Sequence, residues 1–120
     1  METVTHKHID LTYLKQLSNG SNEFINEMIT VFIEQTPIEI GNLEKYLEAK
    51  DWKSLRAIAH KMKPSFSFMG MKELDSLIKL IEEYAANETN LDLLPEMISR
   101  TKTICNEAIK ELEIEQKSFL

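Results

Sequence analysis

The chain has 120 residues, of which 42% are hydrophobic and 28% charged, a profile typical of one folded domain and not of a disordered protein. It contains only three glycines and three prolines, too few turn residues for a sandwich or barrel, so long helices are favoured. The net charge of −6 argues against nucleic-acid binding, and the single cysteine, Cys105, excludes an internal disulfide or a multi-cysteine metal site.

The N-terminus lacks the basic and apolar pattern of a signal peptide, and no apolar run approaches the about 18 residues of a membrane span. We therefore predict a cytoplasmic protein that does not contact membranes. Met1 and the short flanks favour a free-standing chain over a piece of a larger sensor kinase. We expect a monomer, because the helical seams described below account for the large apolar residues.

The first predicted elements are a loose polar tail over residues 1–9 and a short helix in the segment IDLTYLKQLSNG. Asp10 can cap this helix, since its side-chain oxygen can accept a hydrogen bond from a free amide of the first turn. Leu11, Leu14 and Leu17 share one face, which we expect to pack on the rest of the domain.

A long second helix is predicted from Ser21 to Lys50, with Pro37 near its middle. Thr36 and Glu39 around this proline fit a capping box, which would indicate two helices. The apolar stripe hardly changes phase across the proline, so we predict one kinked, continuous helix. Before the proline the stripe consists of Phe24, Ile25, Met28, Val31, Phe32 and Gln35.

The third helix, which Asp51 can cap and Gly70 can end, contains an interior proline, Pro64. An interior proline removes one backbone hydrogen bond, and it would end the helix near Met62 if nothing opposed it. The apolar seam continues in phase beyond the proline, which predicts an unbroken helix. The seam consists of Leu55, Ala59, Met62, Phe66 and Met69.

Two more helices follow, separated by the turn NETN, and the last begins near Leu91–Asp92 and tolerates Pro95 in its first turn. The inward positions of the fourth helix are Leu74, Leu77, Ile78, Ile81 and Tyr84, and those of the last are Met97, Ile98, Thr101, Cys105, Ala108 and Leu112. Short connections make sequential helices antiparallel. We predict a single all-α domain, an up-down antiparallel four-helix bundle with a short N-terminal helix packed across it.

One polar face of the third helix carries His60 together with Arg56, Lys63, Pro64 and Ser67. With no carboxylate expected beside it, the imidazole should be exposed and largely neutral at pH 7, so that a ring nitrogen can act as a nucleophile. The neighbouring cations would attract a phosphoryl group. Most exposed histidines on lysine-rich helix flanks have no function, so the pattern alone leaves both interpretations open.

The segment AIAHKMKPSFSFMG resembles the motif of the histidine-containing phosphotransfer (HPt) domain family. His60, the basic Lys63 three residues later, the apolar Met69 and the following Gly70 match the family pattern. Pro64 departs from it, because the family usually has glycine there. Proline is compact enough to leave room for a phosphoryl group, so we expect activity to be retained. The first and second predicted helices resemble those of the family too.

The resemblance implies a phosphocarrier of a multistep His-Asp phosphorelay, without ATP-binding or autokinase activity. A receiver domain of a response regulator or hybrid sensor kinase would phosphorylate His60, and another receiver would take the group. No cofactor is implied in this chain, since the receiver would bring Mg²⁺. The implied phosphoryl-stabilising residues, in order of preference, are Lys63, Lys61, Arg56 and Ser67, the last through a hydrogen bond near the ring. The implied docking residues are Ala57, Pro64 and Phe68, and Gly70 is the structural glycine of the motif.

Phe68 fits a second role equally well, packing against a neighbouring helix end. A protein-binding adaptor that uses the same face without phosphorylation is the alternative function. A metal or haem bundle would need inward ligands such as Glu-x-x-His pairs, and none occurs. We predict no metal site, because His6 and His8 lack a third ligand. The methionines are predicted to fill the core, Cys105 to be an inert buried thiol, and the acidic segment KELEIEQK to be a solvated helix end.

Overall fold

A computed structural model describes residues 6–119, and within that range the regular secondary structure is entirely helical. The five α-helices are α1 (Thr12–Leu17), α2 (Asn22–Glu48), α3 (Trp52–Phe68), α4 (Lys72–Asn87) and α5 (Leu94–Gln116), with 3₁₀ turns at Leu91–Leu93 and Lys117–Phe119. Helices α2 to α5 pack in the cyclic order α2, α3, α4, α5, each against its two neighbours. The predicted all-α four-helix bundle is confirmed.

Pro37 and Pro64 both lie inside continuous helices, as the phase of the apolar stripes predicted. Beyond Pro37 the residues Ile40 and Leu43 are still buried, and beyond Pro64 so is Phe66. Burial of these side chains outweighs the hydrogen bond that each proline removes from its helix. The site described below therefore lies on an unbroken helix.

The turn between α3 and α4 depends on Gly70, whose φ of +64° is in the left-handed region that favours glycine. A Cβ at this position would collide with the carbonyl oxygen of Asp10. The amide of Asp10 donates to the carbonyl of Met69 at 3.0 Å, so the segment before α1 crosses the end of α3 here. The chain packs α1 on the bundle through buried Leu14, whereas Leu17 is exposed, contrary to the predicted shared face.

The core contains most of the predicted seam residues. Met62, Met69 and Cys105 are buried, and burial raises the pKa of the Cys105 thiol to about 12, as expected for an inert thiol. The predicted stripe of α2 was wrong at Phe24 and Val31, which are 36% and 53% exposed, and at Gln35, which is also exposed. No helix between residues 6 and 119 combines the length and apolar character needed to cross a membrane.

The interpretation of residues 1–9 as a loose tail is wrong for His6–Ile9, which lie against α5; residues 1–5 are outside the described range. His6 pairs with Glu115 at 2.8 Å, and His8 with Glu107 at 2.5 Å. Glu115 lies in the segment KELEIEQK, which was predicted to be a solvated helix end, whereas Glu107 precedes that segment. Glu111 accepts hydrogen bonds from the backbone amides of His8 and Ile9, so α5 supplies acceptors for both the imidazoles and the amides of the N-terminal segment.

Candidate functional site

His60 lies near the middle of α3, one position beside the buried seam residue Ala59. Its side chain is 71% exposed, although the backbone beneath it is fixed by packing of α3 against α2 and α4. The predicted exposed imidazole on a rigid helix is therefore present.

No carboxylate beside His60 was expected from the sequence, and this expectation was wrong. Glu82 of α4 lies with Oε2 2.6 Å from Nδ1 of His60. An ionised carboxylate can only accept hydrogen bonds, so Nδ1 carries the proton and donates it. In the neutral imidazole, Nε2 is then the nitrogen without a proton, and its lone pair is available for reaction.

The same carboxylate also holds Lys63, whose Nζ donates to Oε1 of Glu82 at 3.0 Å. Partial burial acts to raise the pKa of Glu82, but the hydrogen bonds from Lys63 and His60 outweigh it, so this pKa lies below its ordinary value. Glu82 is thus ionised at neutral pH and places the ammonium of Lys63 beside the imidazole.

The other predicted phosphoryl-stabilising residues do not share the Glu82 carboxylate with the ring. Lys61 extends toward α2, where its Nζ is 3.9 Å from Oε2 of Glu39. Arg56 is exposed one turn before His60, beside Trp52 in a shallow pocket between α3 and the end of α4. Lys63 is consequently the cation best placed to act on a group bound to Nε2.

Ser67 does not lie near the imidazole, contrary to the prediction. Its hydroxyl donates to Oδ1 of Asp75 at 3.4 Å, at the start of α4. Two helical turns separate it from His60, about 10 Å along the axis. Its hydrogen bond joins the ends of α3 and α4 and makes no contact with the ring.

The three predicted docking residues lie on the outer side of α3. Ala57 and Pro64 are exposed on either side of His60. Phe68 is half-buried, and its ring stacks on that of Tyr13 in α1 with centroids 6.0 Å apart. Phe68 therefore does pack against a neighbouring helix, while one side of its ring stays accessible.

A groove of about 420 Å³ runs between α2 and α3 next to these residues. Its α3 wall includes Lys61 and Phe68, and its α2 wall includes the exposed Val31 and the nearly buried Glu39. An exposed apolar strip next to a reactive side chain is a feature of protein-docking surfaces.

Within residues 6–119, no group of three or more His, Cys, Asp or Glu side chains has the arrangement needed to hold a metal ion. Glu82 and Glu39 are the site residues that sequence reasoning missed. Neither belongs to a local motif, but His60 and Glu82 lie about equally far along the chain from the Gly70 turn. Pairing of antiparallel helices around that turn was the one signal that could have indicated the contact.

Comparison with known proteins agrees with this geometry. The curated Multistep phosphorelay regulator 1 of Schizosaccharomyces pombe is 26% identical over 106 residues, which is 82% of this chain and 36% of that protein. The chain thus spans about a third of the length of this relative. The crystal structure of histidine-containing phosphotransfer protein B from Pseudomonas aeruginosa PAO1 has the same fold, with a TM-score of 0.85 at 23% identity over 95% of this chain and 98% of that one.

The sequence model of the Hpt domain matches residues 27–113, which include α3, α4 and every residue of the His60 site. This match covers well over half of the chain, and the helix order, the Gly70 turn and the exposed His60 agree with the motif recognised in the sequence. The chain therefore belongs to the Hpt domain family.

Proposed function

We propose that the protein is a phosphocarrier of a multistep His-Asp phosphorelay and that His60 is its phosphoacceptor. The observation that carries the proposal is the hydrogen bond from Nδ1 of His60 to Glu82, which in the neutral imidazole leaves Nε2 as the proton-free nitrogen of an exposed side chain on a rigid helix.

In the forward step, the lone pair of Nε2 attacks the phosphorus of a receiver's aspartyl phosphate. The N–P bond forms as the P–O bond breaks, and the aspartate carboxylate leaves with the bonding electrons. Phosphorylation puts positive charge on the ring, and Glu82 stabilises this charge through Nδ1. In the second step, the carboxylate of another receiver attacks the same phosphorus and Nε2 leaves with its electron pair, which restores the neutral imidazole.

Lys63 stabilises the phosphoryl oxygens of phosphohistidine in this proposal. Its ammonium is held by Glu82 at 3.0 Å in the resting protein, on the same side of α3 as the ring. A flexible four-carbon side chain can turn from Glu82 toward a new dianionic group nearby. Arg56 and Lys61 contribute at longer range, because both side chains are exposed and lie on either side of the ring.

The remaining chemistry comes from the partner. Phosphoryl transfer needs positioning and charge neutralisation more than covalent assistance, so a carrier without kinase activity of its own suffices. We propose that the receiver brings the Mg²⁺ that neutralises the phosphoryl oxygens. We also propose a cytoplasmic monomer, because the buried free thiol of Cys105 suits a reducing compartment and the bundle buries most of its large apolar side chains.

The test is transfer from a ³²P-labelled receiver domain to the protein, with His60→Gln as the matched variant. We expect an acid-labile, base-stable label on the wild type and none on the variant. His6 and His8 serve as internal controls, since their side chains are only 9% and 5% exposed and both are paired with glutamates.

A label that persists in His60→Gln would refute the assignment of His60. Receivers that bind the protein but never label it would indicate the adaptor function instead. Replacement of Pro64 by glycine would then show whether the proline prevents the chemistry, since glycine is the usual residue of the family at that position.

A further inference from the structure

The α2 wall of the groove between α2 and α3 contains the carboxylate of Glu39, which receives no hydrogen bond from the described residues. Glu39 is 9% exposed, and no residue in the described part of the chain donates a hydrogen bond to its carboxylate, whose oxygens keep a small contact with solvent. The closest cation is Lys61, whose Nζ is 3.9 Å from Oε2 and whose side chain is 72% exposed. This distance is too long for a hydrogen bond.

Such a carboxylate is costly to keep charged. Burial raises the pKa of Glu39, and Lys61 only partly opposes this effect. Apolar neighbours, including Met28, Phe32 and Met69, line the same groove. A donor delivered from outside would therefore gain a strong, charge-assisted hydrogen bond that no group of the free protein supplies.

The position of the groove indicates which molecule could deliver that donor. Its α3 wall, formed by Lys61, Ser65 and Phe68, adjoins Pro64 and is continuous with the surface around His60. A receiver that brings its aspartyl phosphate to His60 must cover this surface. A receiver side chain that extends past Pro64 toward α2 would reach the groove at Ser65.

We propose that the groove between α2 and α3 admits a basic side chain of the docked receiver, which binds the Glu39 carboxylate and makes this residue a determinant of partner choice. The inference rests on the proposed function, because it assumes that receivers bind over His60. A receiver with an apolar or acidic side chain at that place leaves Glu39 buried without a donor and binds less tightly.

The experiment uses the receiver domain that labels the wild-type protein in the transfer assay, in its unphosphorylated form, and measures Kd by titration calorimetry. Glu39→Gln should weaken binding about tenfold or more, because it removes the charge that the receiver's basic side chain needs. Glu34→Gln is the matched control: it changes the net charge equally, and Glu34 is exposed on the same helix. It should change Kd by less than about twofold.

Two further arms separate a receiver contact from a purely internal role. Lys61→Ala should tighten binding, because it removes the ammonium that competes for Glu39; a parallel weakening in Lys61→Ala and Glu39→Gln would overturn the proposal. Alanine substitutions of the receiver's lysines and arginines should include one that weakens binding to the wild type but not to Glu39→Gln. The absence of any such coupled residue would also overturn it.

Failure of this inference and failure of the proposed function give different experimental results. If the receiver labels His60 and Glu39→Gln still binds as Glu34→Gln does, only the role of Glu39 is refuted. If no receiver labels the wild type, the proposed function fails and this inference fails with it. Thermal unfolding of Glu39→Gln is the control for folding. Its unfolding temperature should not fall, because the variant removes a poorly solvated charge, and any loss of binding is then not a loss of fold.

Discussion

Replacement of Glu82 by alanine should slow phosphoryl transfer to His60 without weakening the binding of the receiver. The variant loses the acceptor that lies 2.6 Å from Nδ1 of His60 and the anchor that lies 3.0 Å from Nζ of Lys63. A hydrogen bond to a charged group contributes about 1.5–3 kcal/mol. His60 is 71% exposed, and solvent screening reduces this to about 1 kcal/mol, or about fivefold in rate.

The assay is single-turnover transfer from a ³²P-labelled receiver, with rate and half-saturating concentration measured separately. Glu82→Gln keeps an oxygen that can accept from Nδ1 but lacks the negative charge, so it should recover only part of the rate, whereas a merely structural role would be rescued fully by this variant of the same shape. Glu83→Ala, a change at the exposed neighbouring position of α4, is the control and should behave as the wild type. Equal transfer rates in Glu82→Ala and the wild type would refute the reasoning. So would a variant in which only the half-saturating receiver concentration rises.

Three predictions concern stability. Because the pKa of Glu82 is lowered in the folded state, its contribution to stability is present above about pH 4.5 and is lost as pH falls through the folded-state pKa. The difference in unfolding free energy between the wild type and Glu82→Gln should therefore shrink when thermal unfolding is measured at acidic pH. A difference that stays constant with pH would contradict this. Gly70→Ala should lower the free energy of unfolding, measured in urea, by about 2–3 kcal/mol. In Gly41→Ala the new Cβ meets no atom within 4 Å, so this variant should be as stable as the wild type or more stable. Equal effects of the two substitutions would contradict the role of the turn. Glu111→Ala removes the carboxylate that accepts from the amides of His8 and Ile9 at 3.0 and 3.2 Å. It should lower the free energy of unfolding by about 1–2 kcal/mol and speed hydrogen exchange of these two amides. Unchanged exchange would argue against the contact.

The helices could be predicted because their apolar periodicity is local. The continuity of α3 through Pro64 followed from Phe66 and Met69, which keep the phase of the seam and are buried. The errors on α2 have a physical reason. Phe24 and Val31 fit a spacing of three and four residues, but they lie at the edge of a stripe whose buried centre is at Ile25 and Ile29.

The polar contacts could not be predicted, because they depend on how two helices are aligned. The pairing of His60 with Glu82 joins residues on α3 and α4, and its distance is set by the Gly70 turn. The contact of Lys61 with Glu39 depends likewise on how α2 approaches α3. Individual charges on a solvated face give no indication of their partners until the helix register is known.

Helix α3 presents different chemistry on its two flanks. On the side of α4, His60 and Lys63 both contact the carboxylate of Glu82. On the side of α2, Lys61 and Phe68 line the groove. With the roles proposed above, substitution of Glu39 would alter which partner is bound while the transfer rate stays the same, and substitution of Glu82 would alter the rate for an unchanged partner. A duplicated copy of this domain could acquire a new partner in a few steps without passing through an inactive intermediate.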